Sequence, residues 1–145
     1  MEMTEKLISR ILIATDGSEK NRSALDEGIN FARAFGATLY AVYVIDIGAF
    51  SSMSADIPIG DTYAVFQAEA EQAFSRIKSI AGDVPVEAVL REGHPAAEVV
   101  KFADANNIDL IVIGTQGKKG LERLLLGSVA EEIIRSAPCR VLVVK

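Results

Sequence analysis

The residues best suited to chemistry lie between positions 114 and 128, where glycines and cations are concentrated. The glycines are Gly114, Gly117, Gly120 and Gly127. Lys118, Lys119 and Arg123 stand beside a single acid, Glu122, in a chain that is acidic overall. Glycine leaves backbone amides open to a ligand, and a helix N-terminus adds free amides and a positive dipole end. The segment therefore indicates a cradle for a polyphosphate, unless its glycines serve turn geometry alone and its charges are solvated.

Two common phosphate motifs are absent from the sequence. No segment matches the Walker pattern GxxxxGK[ST], and no GxGxxG follows the first apolar run, where a dinucleotide-binding unit would carry it. The sequence therefore disfavours a P-loop nucleoside triphosphatase and an NAD-dependent enzyme.

A second candidate group, Thr15-Asp16-Gly17-Ser18, follows the apolar run Ile11–Ala14. The run predicts a buried strand that opens into a turn. Asp16 at the carboxyl end of such a strand suits a hydrogen bond from a ribose hydroxyl, since open α/β sheets bind ligands at that edge. Its alternative role is that of an acid near a helix N-terminus, where the dipole favours a negative charge.

Ser128 also has two interpretations. It begins the pattern Ser-x-x-Glu with Glu131, which is typical of a capping box at the start of a helix. Its hydroxyl would then bond to the helix backbone, and a phosphate ligand would have to share or reorient it. Both interpretations predict a helix from about residue 128.

The other reactive side chains are expected to have structural roles. His94 precedes Pro95 at a predicted helix start and Cys139 has no histidine near it in sequence, whereas nucleophilic or metal chemistry needs a positioned partner. Asp46 ends a predicted strand without a glycine fingerprint and is expected to be a loop or capping residue. One cysteine and one histidine cannot build a four-ligand zinc site. No general base for water stands out, so we predict neither metal ligands nor catalytic residues.

Short apolar runs alternate with stretches that carry one apolar helical face, which predicts the element order βαβαβαβαβ. This order is typical of an α/β fold with a parallel sheet and helices on both faces. A long loop is expected from Gly48 to Asp61, which is rich in Ser, Gly and Asp. The expected strands are Ile11–Ala14, Leu39–Ile45, Val86–Leu90, Leu110–Ile113 and Arg140–Val144. Gly36 is expected to end the first helix. Apolar helix faces are expected for Ala24, Leu25, Gly28, Ile29, Ala32 and Phe35, for Phe66, Ala70, Ala73, Phe74, Ile77 and Ile80, and for Ala96, Val99, Val100 and Ala103.

Length and composition fit a single globular domain over residues 1–145. The chain has 145 residues, of which 50% are hydrophobic and 24% are charged. Its net charge of −5 lacks the broad positive field that binding to nucleic acid or an anionic membrane requires. Apolar runs of about four residues cannot cross a bilayer, and the N-terminus does not resemble a secretory signal. We therefore expect a cytoplasmic protein without nucleic-acid or membrane partners.

The spacing Gly114-x2-Gly117-x9-Gly127-Ser128 resembles the nucleotide-binding signature of the universal stress protein family. The resemblance extends to Thr15-Asp16-Gly17-Ser18-Glu19, to Val44-Ile45-Asp46 and to the C-terminal Pro138-Cys139-Arg140-Val141-Leu142-Val143-Val144, so it covers essentially the whole chain. Because the signature is complete, the chain looks like a member of the ATP-binding branch. The resemblance implies a Rossmann-like fold with a five-stranded parallel sheet in the order 3-2-1-4-5. It places ATP at the switch between strands one and four.

The resemblance also implies a role for each matching residue. Asp16 would accept a hydrogen bond from a ribose hydroxyl, the backbone of Val44 would meet the adenine edge, and Gly114 would border the ribose. The phosphates, carrying Mg²⁺ or Mn²⁺, would lie against Gly117, Gly127, Ser128 and Val129. We therefore expect the ATP site to comprise Thr15, Asp16, Val44, Gly114, Gly117, Lys118, Gly127, Ser128 and Val129.

The implied function is that of an ATP-binding stress-response protein that acts through nucleotide-dependent conformation or partner binding. Two alternatives are a dimeric signalling or chaperone-like module with an empty, vestigial site, and a slow ATPase or phosphotransferase. Under the first of these functions we expect hydrolysis without a partner protein to be slow at most.

The last strand predicts a homodimer. By the resemblance, Arg140–Lys145 forms an edge of the sheet, and its apolar run Val141–Val144 contains neither proline nor an internal charge. An edge of that kind has unpaired backbone groups and invites strand addition. Twofold symmetry would pair the strand with its own copy.

Overall fold

The computed structural model describes residues 7–17, 21–48, 59–115 and 127–145, and five strands alternate with four helices along these ranges. The strands are β1 (Arg10–Thr15), β2 (Thr38–Asp46), β3 (Val86–Gly93), β4 (Leu110–Gly114) and β5 (Arg140–Val144). The helices are α1 (Arg22–Phe35), α2 (Ile59–Ala81), α3 (Pro95–Ala105) and α4 (Ser128–Ser136). The observed order is the one that the apolar periodicity predicts.

The strands form one parallel sheet in the order β3-β2-β1-β4-β5, which confirms the α/β fold and the strand order expected from the family resemblance. Two residue pairs show how β1 is aligned with its neighbouring strands. Thr15 pairs with Tyr43 on β2, and Ile13 pairs with Val112 on β4. The winding reverses between β1 and β4, so the carboxyl ends of these two strands border the point where such sheets bind ligands.

Helices cover both faces of the sheet, which explains the nearly continuous apolar strands. The neighbours Leu12 and Ile13 point to opposite faces, as consecutive strand residues do. Ile13 packs in the core on one face, together with Ile77 of α2, while Leu12 packs with Val99 of α3 and Ile133 of α4 on the other. We call these the α1/α2 face and the α3/α4 face.

The first helix ends where the sequence predicts. Gly36 follows Phe35 with a left-handed backbone at φ 65°, and its N–H donates to the carbonyl of Ala32. Glycine adopts this conformation without the strain that a side chain brings, so it provides an efficient stop for the helix.

The expected loop from Gly48 to Asp61 is too long at its C-terminal end, because α2 already begins at Ile59. Asp61 lies in the first turn of that helix, where a carboxylate interacts favourably with the dipole. Apolar periodicity does not reveal this start, since the apolar stripe used for the prediction begins at Phe66. Residues 49–58 of the expected loop lie outside the described part of the chain.

Two residues of the expected buried helix faces need correction. Phe35 is 36% exposed because it occupies the last turn of α1, where it stacks on Phe31 with ring centroids 6.1 Å apart. Val100 is only half-buried, and Phe102 is buried in α3 instead.

Candidate functional site

The carboxyl edge of the sheet brings four of the predicted site residues together. Thr15 ends β1 beside Tyr43, so Asp16 and Val44 follow at the next level of the neighbouring strands. Gly114 ends β4 on the other side of β1. All four predicted residues, Thr15, Asp16, Val44 and Gly114, are half-buried.

The chain turns sharply directly after Asp16. Gly17 has a left-handed φ of 79°, and its N–H donates to Thr15 Oγ1 at 3.2 Å. A side chain is strained in this conformation, so a glycine is required here. The turn leaves the Asp16 carboxylate at the carboxyl end of β1, as the sequence predicts for a ribose-binding acid.

Gly114 is enclosed by the start of α1. A Cβ atom built on Gly114 would collide with Oδ1 of Asn21 and would lie 3.0 Å from its Cγ atom. Asn21 is the N-cap residue of α1, but it makes no side-chain capping bond. Its Oδ1 atom is buried and has no hydrogen-bond partner among the described residues. The packing of α1 on β4 therefore requires a glycine at 114, whatever that residue does for a ligand.

Of the two interpretations of Ser128, the capping box is wrong. Gly127 is the N-cap residue of α4, with an extended backbone at φ −66° and ψ 157°, and Ser128 already lies inside the helix. The first helical bond runs from the N–H of Glu131 to the carbonyl of Gly127 at 3.0 Å. Gly127 has no side chain to cap the helix, and among the described residues no side-chain capping bond is made, so the amides of the first turn are available to an anion there.

Helix α4 presents this N-terminus at the carboxyl edge, since it connects two parallel strands and must run back along the sheet. Ser128 and Val129 are exposed there. Ala130 and Ile133 are buried and fix the helix on the α3/α4 face. The described residues of the predicted phosphate cradle therefore lie at the same edge as the predicted ribose acid.

Sequence reasoning missed two contacts at this edge. Nε2 of His94, at the start of α3, lies 2.7 Å from Oε2 of Glu132 on α4, so the histidine has a partner across the groove between these helices. The hydroxyl of Tyr43 donates to Oε2 of Glu69 at 3.1 Å, which ties β2 to α2 on the opposite face. The partners are separated by 38 and 26 residues respectively, so no local pattern could reveal either contact.

Electrostatics at this edge favour the protonated phenol of Tyr43. Burial raises its pKa well above the ordinary value, and the charge of Glu69, the hydrogen bond to Glu69 and the charge of Asp16 add to this. The carboxylate of Asp16 is thus near enough for its charge to act on the phenol. The phenol therefore stays a hydrogen-bond donor throughout the physiological pH range.

Two predicted site residues, Gly117 and Lys118, fall within 116–126 and lie outside the described residues. Of the residues expected to be structural, Asp46 accepts a hydrogen bond from the N–H of Gly48 at 2.9 Å, as a capping residue does. Burial raises the pKa of the half-buried Cys139 thiol, which disfavours the nucleophilic thiolate.

Within the described ranges, no three His, Cys, Asp or Glu side chains are grouped as metal ligands would be. None of the helices in the same ranges has the length and apolar character needed to cross a membrane.

Comparison with known proteins agrees with the fold. The sequence model of the "Universal stress protein family" matches residues 8–145. Universal stress protein MJ0531 of Methanocaldococcus jannaschii is 43% identical over 143 residues, which cover 97% of this chain and 84% of that protein. The structure of hypothetical protein MJ0577 is similar, with a TM-score of 0.83 and 30% identity over 96% of each chain. The universal stress protein from Archaeoglobus fulgidus in complex with dAMP has a TM-score of 0.70 and 25% identity, covering 96% of this chain and 99% of that one.

Proposed function

This chain belongs to the universal stress protein family, and we propose that it binds ATP at the carboxyl edge of its sheet. The observation that carries the proposal is the N-terminus of α4, where the N-cap is a glycine, no described side chain caps the helix, and Ser128 is exposed. Uncapped amides at a helix N-terminus bind phosphate groups. The complex of the Archaeoglobus fulgidus relative with dAMP gives independent support for an adenine nucleotide.

Each end of the nucleotide has suitable partners in this arrangement. Asp16 accepts a hydrogen bond from a ribose hydroxyl, the backbone of Val44 meets the adenine edge, and Gly114 borders the ribose. The phosphates lie against the first turn of α4, which includes Gly127, Ser128 and Val129. We extend the site to Gly117 and Lys118, whose glycine and positive charge suit a triphosphate. Mg²⁺ or Mn²⁺ would neutralise part of the phosphate charge.

The protein acts in the stress response, in the cytoplasm, through nucleotide-dependent conformation or partner binding. Hydrolysis is slow at most in this proposal, since activating water for attack on a phosphate needs a positioned base or water-orienting residue. His94, the one histidine of the chain, already contacts Glu132 at 2.7 Å. In this proposal His94 has a structural role and is not a base.

We further propose that two copies pair through β5. This strand lies at the edge of the sheet beside β4, and its apolar residues 141–144 are half-buried rather than fully covered. Antiparallel pairing of two copies would satisfy the free backbone groups of both edges at once.

Mass spectrometry of the nucleotide released when the purified protein is denatured tests the binding proposal. ATP, released in an amount comparable to the protein, is the expected result. Protein that releases no nucleotide and whose melting temperature is unchanged by added ATP would support the alternative of a vestigial, empty site. Rapid turnover of ATP with Mg²⁺ or Mn²⁺ would instead support an enzyme.

A further inference from the structure

Glu69 connects a buried side chain of the sheet to the turn that carries Asp16. Its Oε2 atom accepts a hydrogen bond of 3.1 Å from Tyr43, a residue that is only 2% exposed. Its Oε1 atom would lie 3.2 Å from a Cβ atom built on Gly17, so the carboxylate lies directly against the backbone of that residue. The two oxygens of one carboxylate thus face two different elements.

Tyr43, which anchors this contact, is held in place by its packing. Tyr43 lies on β2 in register with Thr15, and its ring packs edge-on against Phe74 of α2, with centroids 6.5 Å apart. Ala70, the residue after Glu69, is fully buried against the same part of the sheet. Tyr43 and the part of α2 that carries Glu69 are therefore held by the core, whereas Asp16 and Gly17 lie beyond the last residue of β1.

We propose that Glu69 is a positioning residue that holds the Thr15–Gly17 turn from the α1/α2 face and thereby orients the Asp16 carboxylate toward the ribose. The inference rests on the proposed function for its ligand. A half-buried carboxylate is costly unless it is hydrogen-bonded, and the phenol of Tyr43 supplies such a bond. The phosphate cradle at α4 lies on the α3/α4 face. Glu69 therefore contacts the turn from the opposite face of the sheet and does not touch the phosphates.

The first test measures the turn without any nucleotide. The NMR order parameter of the Gly17 amide should fall in Glu69→Ala relative to the wild type, while Val112 in β4 stays unchanged. Tyr43→Phe, which removes the donor that anchors Glu69, should lower the same order parameter. The matched control is Glu71→Ala, which removes an equal charge from an exposed position of the same helix. An unchanged Gly17 order parameter in both Glu69→Ala and Tyr43→Phe would overturn the positioning role.

The second test measures affinity for ATP. Glu69→Ala should weaken binding about tenfold, the usual effect of losing a well-oriented hydrogen bond to a charged group. Glu69→Gln should restore most of the affinity, because its amide oxygen still accepts from Tyr43. In an Asp16→Ala background, Glu69→Ala should cause no further loss, since its effect passes through Asp16.

An equal loss from Glu69→Ala with and without Asp16 would overturn the inference, because Glu69 would then act independently of that carboxylate. If the wild-type protein binds no ATP, the proposed function fails. The order parameter of Gly17 then decides alone whether Glu69 positions the turn.

Discussion

The side chain of Asn21 lies against the α-carbon of Gly114, where a Cβ atom would collide with its Oδ1 atom. This contact joins the start of α1 to the end of β4, the two elements that flank the switch point of the sheet. Gly114 therefore has a packing role in addition to the ligand role implied by the family signature. The two roles can be separated by mutation.

The substitution Gly114→Ala should lower the free energy of unfolding by about 1–3 kcal/mol, because the added methyl group overpacks a close contact. The double variant Asn21→Ala/Gly114→Ala should recover most of this loss, since Asn21 makes no capping bond that would be sacrificed. Urea denaturation of the wild type, the single variants and the double variant measures the coupling. Strict additivity of the two changes would show that the residues do not clash.

The substitution Asp16→Ala should weaken ATP binding by about 1–3 kcal/mol through loss of a charge-assisted hydrogen bond to ribose. It should weaken 2′-deoxy-ATP less if the bonded group is the 2′ hydroxyl. Titration calorimetry with both nucleotides measures the difference. Equal losses would assign the bond to the 3′ hydroxyl, and no loss with either nucleotide would contradict the ribose role.

The stability of the protein should fall in alkaline solution through Tyr43. Burial, followed by the charge of Glu69, raises the pKa of Tyr43 above its ordinary value of 10.0, so above that pH the unfolded chain loses a proton that the folded chain keeps. The contribution of Tyr43 to the free energy of unfolding is therefore fully present below pH 10. Above that pH it should fall by about 1.4 kcal/mol per pH unit until the folded protein also loses the proton. Urea denaturation from about pH 9 to about pH 11 should show a smaller decline for Tyr43→Phe. Identical slopes for the two proteins would contradict the raised pKa.

The fold could be predicted from the sequence because each strand is an apolar run between helical stretches. Apolar periodicity predicted the alternation, and Gly36 marked the end of α1 correctly. Periodicity does not encode strand order, which came from the resemblance of the Gly114-x2-Gly117-x9-Gly127-Ser128 pattern to a known family. The error at Ser128 has a local cause, since the pattern Ser-x-x-Glu does not specify which residue adopts the extended N-cap conformation.

The contacts that support the site were beyond sequence reasoning. Glu69 on α2 and Tyr43 on β2 meet only because the crossover helix folds back over the sheet. The need for a glycine at 114 depends on how closely Asn21 approaches β4, which no spacing in the sequence reveals. Candidate ligand residues can thus be found at strand ends, whereas the residues that hold them in place require the tertiary structure.

A homodimer through β5 should depend on the edge strand and not on its terminal charge. Deleting the residues after Pro138, or the substitution Val143→Pro, should give monomers or aggregates, because proline cannot donate a backbone hydrogen bond and deletion removes the edge. The control Lys145→Ala should stay dimeric. Light scattering coupled to size exclusion measures the masses. A monomeric wild type at micromolar concentration would contradict the proposal and leave the nucleotide site unaffected.

Binding of ATP to the intact chain, measured by titration calorimetry in the presence of Mg²⁺, tests the nucleotide site most directly. The wild type should bind ATP saturably, and Gly127→Val should abolish binding without loss of the fold, as should Gly117→Val. Because Gly127 has an ordinary φ of −66°, valine can adopt its backbone conformation, and its side chain would instead fill the space of a phosphate oxygen. Circular dichroism should show an unchanged fold in both variants. A wild type that binds no ATP, or folded valine variants that bind it with unchanged affinity, would contradict a phosphate site at the start of α4.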